Sequence, residues 1–335
     1  MKLTVIGAGS WGSALAEVAA RCNHEVMLWA HDPRVAEAIQ NTRSNPVYLP
    51  AAEFPSNVRV TNSLREAAAF SRTILMVTPS HHYRAVLSEI RESLAEPVEI
   101  ISGTKGIEND SLQRISEVSA SVLGEKLSGF GVLSGPTFAL EVSRRDPTAA
   151  VVASSDFDLA GRIQQALSCE SFRLYRSDDV VGVELGGSLK NVIAIAAGVV
   201  EGLGLGNNTV AALITRGLHE IRRLGMTLGG RPETFAGLAG MGDLVLTCTG
   251  ALSRNRSVGV ALGRGKQLEE ILRETRLVAE GVKTCRSVRD LAERHQIDMP
   301  ISLEMFRVLY EGDSARSAIQ RLMGRALKAE VENLN

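Results

Sequence analysis

Lys190 is the only charged side chain between Leu185 and Val200, the most apolar stretch of the chain. An ammonium in such a helix must neutralise, find a counter-ion or reach water along its own stem, because burying it unpaired is costly. A lysine whose pKa falls under those conditions can exchange a proton with a reacting oxygen. Further on, Gly237-Leu238-Ala239-Gly240-Met241-Gly242-Asp243 leads into Leu244–Thr249, and Ser253-Arg254-Asn255-Arg256 follows. An aspartate after a glycine-rich turn can orient and tune a lysine. An arginine flanked by hydroxyl and amide donors suits a phosphate dianion. Base, orienting carboxylate and anion clamp together suit hydride transfer at an alcohol carbon beside a phosphate.

Two more segments end strands. Ile101-Ser102-Gly103-Thr104-Lys105-Gly106 places Lys105 just past a carboxyl end, where open α/β sheets bind ligands. There it is a substrate contact or an ordinary solvated loop lysine. Ser134-Gly135-Pro136-Thr137-Phe138-Ala139 ends a later strand, with a helix expected to start at Pro136. Its backbone N–H groups and the Thr137 hydroxyl could bind an anion.

The cofactor signal is Gly7-Ala8-Gly9-Ser10-Trp11-Gly12, directly after the first strand and opening a helix. Gly7 permits the turn, Gly9 leaves room for a pyrophosphate, and Gly12 lets helix and strand pack closely. NAD use is usually marked by a carboxylate ending the second strand. Here Trp29 runs into Ala30-His31-Asp32-Pro33-Arg34, so His31 and Arg34 stand where that carboxylate would be. Asp32 is either a late ribose acceptor or the N-cap of a helix beginning at Pro33. NADP is therefore favoured, without excluding NAD.

These residues need a scaffold. Val/Ile-rich runs at Leu3–Ile6, Glu25–Ala30, Val58–Val60, Thr73–Val77, Val98–Ser102 and Gly131–Leu133 alternate with helical stretches at Ser13–Arg21, Val35–Asn41 and Tyr83–Leu94. Strands apolar on both faces and joined by helices are buried and parallel, as in a Rossmann-type doubly wound α/β sheet. Ala149–Ala153 and Phe172–Tyr175, flanking a helix at 157–167, extend it. After Ser177 the pattern is helical throughout, with glycine-rich loops at Gly202–Gly206 and Gly229–Gly242. The expected division is 1–177, binding dinucleotide, and an all-helical 178–335, carrying substrate and catalysis.

At 335 residues, two domains are the natural division, and 44% hydrophobic with 22% charged residues excludes a largely disordered chain. With 37 basic and 38 acidic side chains the net charge is −1, so no global field draws the chain to nucleic acid. Cys22, Cys169, Cys248 and Cys285 lack metal-ligand spacing or disulfide density, which fits a reducing cytoplasm. No metal cluster is expected. The N-terminus reads as a strand rather than a signal peptide, and Leu185–Val200 is too short for a membrane span, so no membrane anchor is expected.

The runs Gly7–Gly12, Ser102–Ile107, Gly135–Val142, Glu184–Ala197, Arg216–Gly217, Gly237–Asn255 and Val278–Gly281, in this order, closely resemble bacterial NAD(P)-dependent sn-glycerol-3-phosphate dehydrogenases. The resemblance implies that Ser10, Trp11, His31, Tyr48, Lys105, Ala139, Arg254 and Glu280 contact NADPH. It also implies that Lys105, Gly135, Thr137, Lys190, Asp243, Ser253, Arg254 and Asn255 contact glycerol phosphate, with Lys190 exchanging the proton. His31 departs from the arginine frequent in the family. The reaction implied is reversible reduction of dihydroxyacetone phosphate, feeding glycerophospholipid synthesis. A homodimer is compatible with the sequence but not fixed by it. A related β-hydroxyacid dehydrogenase would need a carboxylate clamp in place of Ser253–Asn255. An NADP-sensing regulator would have no use for Lys190 with Asp243.

Overall fold

The computed structural model describes residues 1–274 and 279–330. One eight-stranded sheet is built from β1 (Lys2–Ile6), β2 (Glu25–Trp29), β3 (Val58–Thr61), β4 (Thr73–Met76), β5 (Val98–Ser102), β6 (Leu127–Ser134), β7 (Thr148–Ala153) and β8 (Phe172–Ser177). The order is β3-β2-β1-β4-β5-β6-β7-β8. All neighbours are parallel except β6 and β7, which pair antiparallel. In β1, β2 and β4 nearly every residue is buried, as expected of strands with helices on both faces. The chain leaves β1 toward β2 and β3, then returns to β4 on the other side. The carboxyl ends of β1 and β4 thus form the switch-point crevice where such sheets take ligands.

Beyond β8 the described chain is helical. The helix Val180–Gly202 has an unbroken buried run from Gly182 to Val200, so its residues are mostly apolar on every face, and the few polar ones, Glu184 and Lys190 among them, are buried with partners. Its 23 residues outlast the Leu185–Val200 run and suffice by length and hydropathy for a membrane span, yet 89% of its most apolar window is buried inside the protein. The helices Asn207–Thr227, Asp243–Thr249, Arg254–Gly263 and Glu280–Arg294 pack around it. Arg254–Gly263 approaches most closely. A Cβ on Gly198 would lie 2.0 Å from the Arg256 carbonyl oxygen, and one on Gly259 1.9 Å from that of Ile195. That backbone-to-backbone crossing fixes the N-terminus of Arg254–Gly263 beside the middle of the long helix.

A buried carboxylate joins the two regions. Glu184 accepts from the Ser116 N–H and hydroxyl, both at 2.7 Å, and from Arg114 at 2.9 Å. It satisfies one N–H group that the helix Ile115–Leu123 leaves free at its start.

Several local expectations change. Helices begin earlier than their apolar periodicity suggests, at Ser10, Pro33 and Ser80. Pro136 does not open a helix, because Gly135 turns the chain at φ +152° and the five-residue helix starts only at Ala139. Gly229–Gly242 is not simply a loop, since it contains a helix at Pro232–Ala236 and a wide π-type turn at Leu238–Gly242. Residues 275–278 and 331–335, including Val278 of the family-like run and the end of the 178–335 division, lie outside the described residues.

Candidate active site

The glycine loop follows from sterics. Gly7 adopts φ +117°, and a Cβ there would lie 2.7 Å from the Val77 carbonyl oxygen. A Cβ on Gly12 would lie 1.8 Å from the Gly7 carbonyl oxygen, whereas one on Gly9 would meet nothing within 4 Å. The open space is thus at Gly9, the N-cap of Ser10–Arg21, where no side chain caps the helix. Free N–H groups at a helix start favour phosphate. Asn45, fully buried, donates to the Ala8 carbonyl at 2.8 Å and the Ser13 hydroxyl at 2.9 Å, bracing the loop. The Ser10 hydroxyl donates to the Tyr48 carbonyl at 2.7 Å. Trp11 and Ala139 pack at the margin of one hydrophobic cluster.

Three buried polar atoms here and along the sheet's carboxyl edge have no hydrogen-bond partner among the described residues: Trp11 Nε1, Thr78 Oγ1 and Ser134 Oγ. Buried polar groups are normally satisfied. Such orphans, with an uncapped helix start and a cradle at Gly9, fit a dinucleotide laid across the switch point.

At the end of β2, Asp32 resolves into an N-cap. It accepts from the Arg34 N–H at 2.9 Å, and its carboxylate also holds the Arg34 guanidinium at 2.8 Å and 3.1 Å. The nearest carboxylate is therefore engaged, and exposed His31, stacked edge-on to Trp29, is the side chain presented there.

The catalytic candidates converge on Asp243. Asp243 is 1% exposed, and one carboxylate oxygen accepts from Lys190 Nζ while the other accepts from Lys105 Nζ at 2.6 Å. Lys105 also donates to the Gly135 carbonyl at 3.1 Å, so it is no ordinary solvated lysine. Lys190, 5% exposed, donates to the Thr247 hydroxyl at 2.7 Å, which in turn donates to the Asp243 carbonyl at 2.6 Å. Burial pulls the Lys190 pKa down to about 8, against the opposing pull of Asp243 and with Lys105 adding repulsion. Burial alone would raise the Asp243 carboxyl, yet the two lysines hold it below its ordinary value. Three groups thus share charge in a dry site, with one ammonium poised near neutrality.

Beside this cluster the Asn255 carboxamide donates to Asn191 at 2.9 Å, and its oxygen accepts from the Gly281 N–H at 3.0 Å. It is more committed than the expected open clamp. Ser253 caps its helix by accepting from the Arg256 N–H at 3.2 Å. Arg254, at the first turn, is exposed to solvent in a crowded cleft and makes no hydrogen bond or ion pair among the described residues. Crowding lowers its pKa, against the pull of Glu280. Thr137 donates to the Gly135 carbonyl at 3.2 Å, and the helix that follows, Ala139–Ser143, has Phe138 at its N-cap and no side-chain cap. Glu280 reaches across to Ser80. His31 stands apart from the Asp243 cluster, at the end of β2.

Sequence reasoning missed Thr247, Asn191, Asn45 and Ser80. Thr247 stands one helical turn beyond Asp243, and Asn191 follows Lys190 directly, so knowing the helices would have exposed the first and adjacency hinted at the second.

Fold and site define a nicotinamide-dinucleotide-dependent dehydrogenase, in which a glycine loop and a lysine–carboxylate cluster flank one sheet edge. Residues 2–160 match the model for the NAD-dependent glycerol-3-phosphate dehydrogenase N-terminus, and residues 179–320 that for its C-terminus. The chain is 51% identical over 330 residues to a Geobacter metallireducens protein named glycerol-3-phosphate dehydrogenase, NAD(P)+, covering 98% of each. It resembles the crystal structure of glycerol-3-phosphate dehydrogenase from Coxiella burnetii with a TM-score of 0.93 and 40% identity, over 97% of this chain and 99% of that one. The glycerol-3-phosphate dehydrogenase of Saccharomyces cerevisiae gives 0.79 and 28%, over 96% and 98%. The chain belongs to the NAD-dependent glycerol-3-phosphate dehydrogenase family.

Proposed function

We propose that the protein catalyses reversible, NAD(P)H-dependent reduction of dihydroxyacetone phosphate to sn-glycerol 3-phosphate. The observation that carries this reading is the buried Asp243 carboxylate shared by Lys190 and Lys105 at the carboxyl edge of a dinucleotide-type sheet. When bound, the reduced nicotinamide supplies a hydride to the ketone carbon. Lys190 gives its proton to the ketone oxygen, and its charge stabilises the developing alkoxide. Asp243 and Thr247 hold the ammonium in place, and in the oxidation direction the neutral amine takes the alcohol proton. Lys105, Gly135 and Thr137 line the substrate, while Arg254, with Ser253 and Asn255, aligns its phosphate. Ser10, Trp11, His31, Tyr48, Ala139, Arg254 and Glu280 hold the dinucleotide with Gly7, Gly9 and Gly12. Residues 1–177 carry most of the cofactor contacts and 178–335 the proton chemistry and phosphate clamp, with Lys105, Gly135 and Thr137 reaching the substrate from the first region and Arg254 and Glu280 reaching the cofactor from the second.

Initial rates with dihydroxyacetone phosphate and each reduced cofactor test the proposal. No oxidation of either cofactor overturns it. Arg254→Ala lowers kcat/KM for the ketone phosphate about ten- to hundredfold, since a charge-assisted contact is worth about 1.5–3 kcal/mol. Unphosphorylated dihydroxyacetone is the control, and an equal loss on both substrates would make Arg254 a cofactor or structural residue only.

NADPH is the favoured cofactor in this reading, because Asp32 is engaged with its own helix and with Arg34. His31→Asp places a carboxylate where it accepts from a ribose 2′-OH and repels a 2′-phosphate. The NADPH-to-NADH ratio of kcat/KM then falls about tenfold or more at low salt, and less at moderate salt. An unchanged ratio would mean that another residue sets the choice. A cytoplasmic location, supported by four free cysteines, supply of glycerophospholipid synthesis, and a homodimer belong to the same proposal. Exposed Met241, Val245 and Leu252, close together in the chain, support self-association. Light scattering at twice 35.9 kDa is the expected result.

A further inference from the structure

The helix Ser80–Ser93 starts after Pro79, which has no side chain able to cap it. Its start is satisfied from the other region. Glu280, at the head of the helix Glu280–Arg294, accepts from the Ser80 N–H at 3.0 Å and from the Ser80 hydroxyl at 2.6 Å. Ser80 is 4% exposed. The Lys105-bearing loop closes over this pair. A Cβ on Gly106 would lie 2.5 Å from Ser80 Cβ, 2.6 Å from Ser80 Oγ and 3.2 Å from Glu280 Oε2. One junction therefore ties together the end of β4, the loop holding Lys105, and the helical region.

We propose that Ser80 is a positioning residue: by donating to both Glu280 oxygens it fixes that carboxylate, facing Arg254, in the orientation in which it accepts from the cofactor. The inference rests on the reading of Glu280 as a cofactor contact. A serine that donates twice to one carboxylate fixes its rotamer, and hydrogen bonds to the charged form favour that form. Those bonds are needed, because burial pushes the Glu280 carboxyl above its ordinary value. The charged groups facing it are Arg254 from the helix Arg254–Gly263 and Lys283 from its own helix. On the Ser80 helix, His81 faces Lys283 and His82, with its pKa pushed by burial down to about 4, so it stays neutral near pH 7. Lys105, on the neighbouring loop, is engaged by Asp243.

The test measures NADPH affinity by fluorescence titration from pH 5 to pH 9, with kcat, KM and melting temperature, on the full chain. The variants are Ser80→Ala, Glu280→Gln and both together. In the parent, affinity falls on the acid side as Glu280 protonates. Ser80→Ala raises KM for NADPH about tenfold with kcat within about twofold, and moves the acid limb up by about one pH unit. In the Glu280→Gln background the same substitution does nothing more, because the carboxylate through which it acts is gone. A parent-like limb and KM in Ser80→Ala, beside weakened binding in Glu280→Gln, overturns the inference alone. An equal loss in both backgrounds also overturns it, since Ser80 then acts by packing. Parent-like binding by Glu280→Gln overturns the reading of Glu280, and the inference with it.

Discussion

Lys190→Met lowers kcat for dihydroxyacetone phosphate reduction by about 10²–10⁴-fold, the usual cost of losing a general acid, and leaves NADPH binding close to that of the parent. The split follows from the geometry. Lys190 lies in the middle of Val180–Gly202, while the glycine loop that receives the dinucleotide is built on β1. The fold should survive the change, because Lys105 still donates to Asp243 and Thr247 still donates to its carbonyl. No bare carboxylate is left in the interior, and methionine fills the space of the lysine stem. Single-turnover NADPH oxidation set against fluorescence titration of the cofactor checks both halves. Near-parent turnover would remove Lys190 from the chemistry, and a parallel loss of cofactor binding would make its role structural.

What the sequence discloses of this site depends on whether the signal is contiguous. Gly7, Gly9 and Gly12 sit within one turn and follow a strand, so their separate steric duties are readable before any coordinates. Lys190 is equally legible, because a charge inside an apolar run is costly wherever the run folds. Asp243 was visible as a candidate, but its pairing with both lysines was not. Lys105 lies 138 residues away and Lys190 53, and no local pattern reports such a meeting. Ser80 and Glu280, 200 residues apart, are the extreme case. Where local rules offered two outcomes, the backbone and side-chain geometry of the folded segment chose between them. Asp32 preceding Pro33 suited either a cap or a ribose acceptor, and its three bonds to Arg34 decide for the cap. Pro136 suited a first helical position, yet the turn forced at Gly135 delays the helix to Ala139. The sheet was readable because its strands are apolar on both faces. The antiparallel β7 was not, since burial alone does not encode strand direction.

Asp243→Asn tests the shared carboxylate from the opposite side and carries the second large effect. The amide keeps the shape but cannot balance two ammonium groups. Breaking a buried ion pair by removing one partner typically costs about 3–5 kcal/mol, unless the stranded charge gives up its proton. Lys190, the more buried of the two lysines, is the one to do so: its Nζ loses the attraction that had opposed burial, while repulsion from Lys105 persists. Its pKa therefore drops further below about 8. In the parent, reduction requires the ammonium and declines as pH rises through that value, whereas oxidation requires the amine and rises over the same range. In Asp243→Asn both limbs move to lower pH, and once the Lys190 pKa lies below about pH 7.5 reduction at that pH falls by a factor approaching about tenfold for each further pH unit of displacement. Stability follows with a definite sign. A lysine whose folded pKa lies below its unfolded value of about 10.4 binds more protons when unfolded, so stability rises with pH between the two values. The melting-temperature deficit of Asp243→Asn relative to the parent is thus largest at pH 6 and shrinks toward pH 9. The measurements are kcat/KM in both directions from pH 6 to pH 9.5, and thermal melts at the ends of that range. Limbs that stay at the parent pH would show that Asp243 does not set the charge of Lys190, whatever happens to the melting temperature.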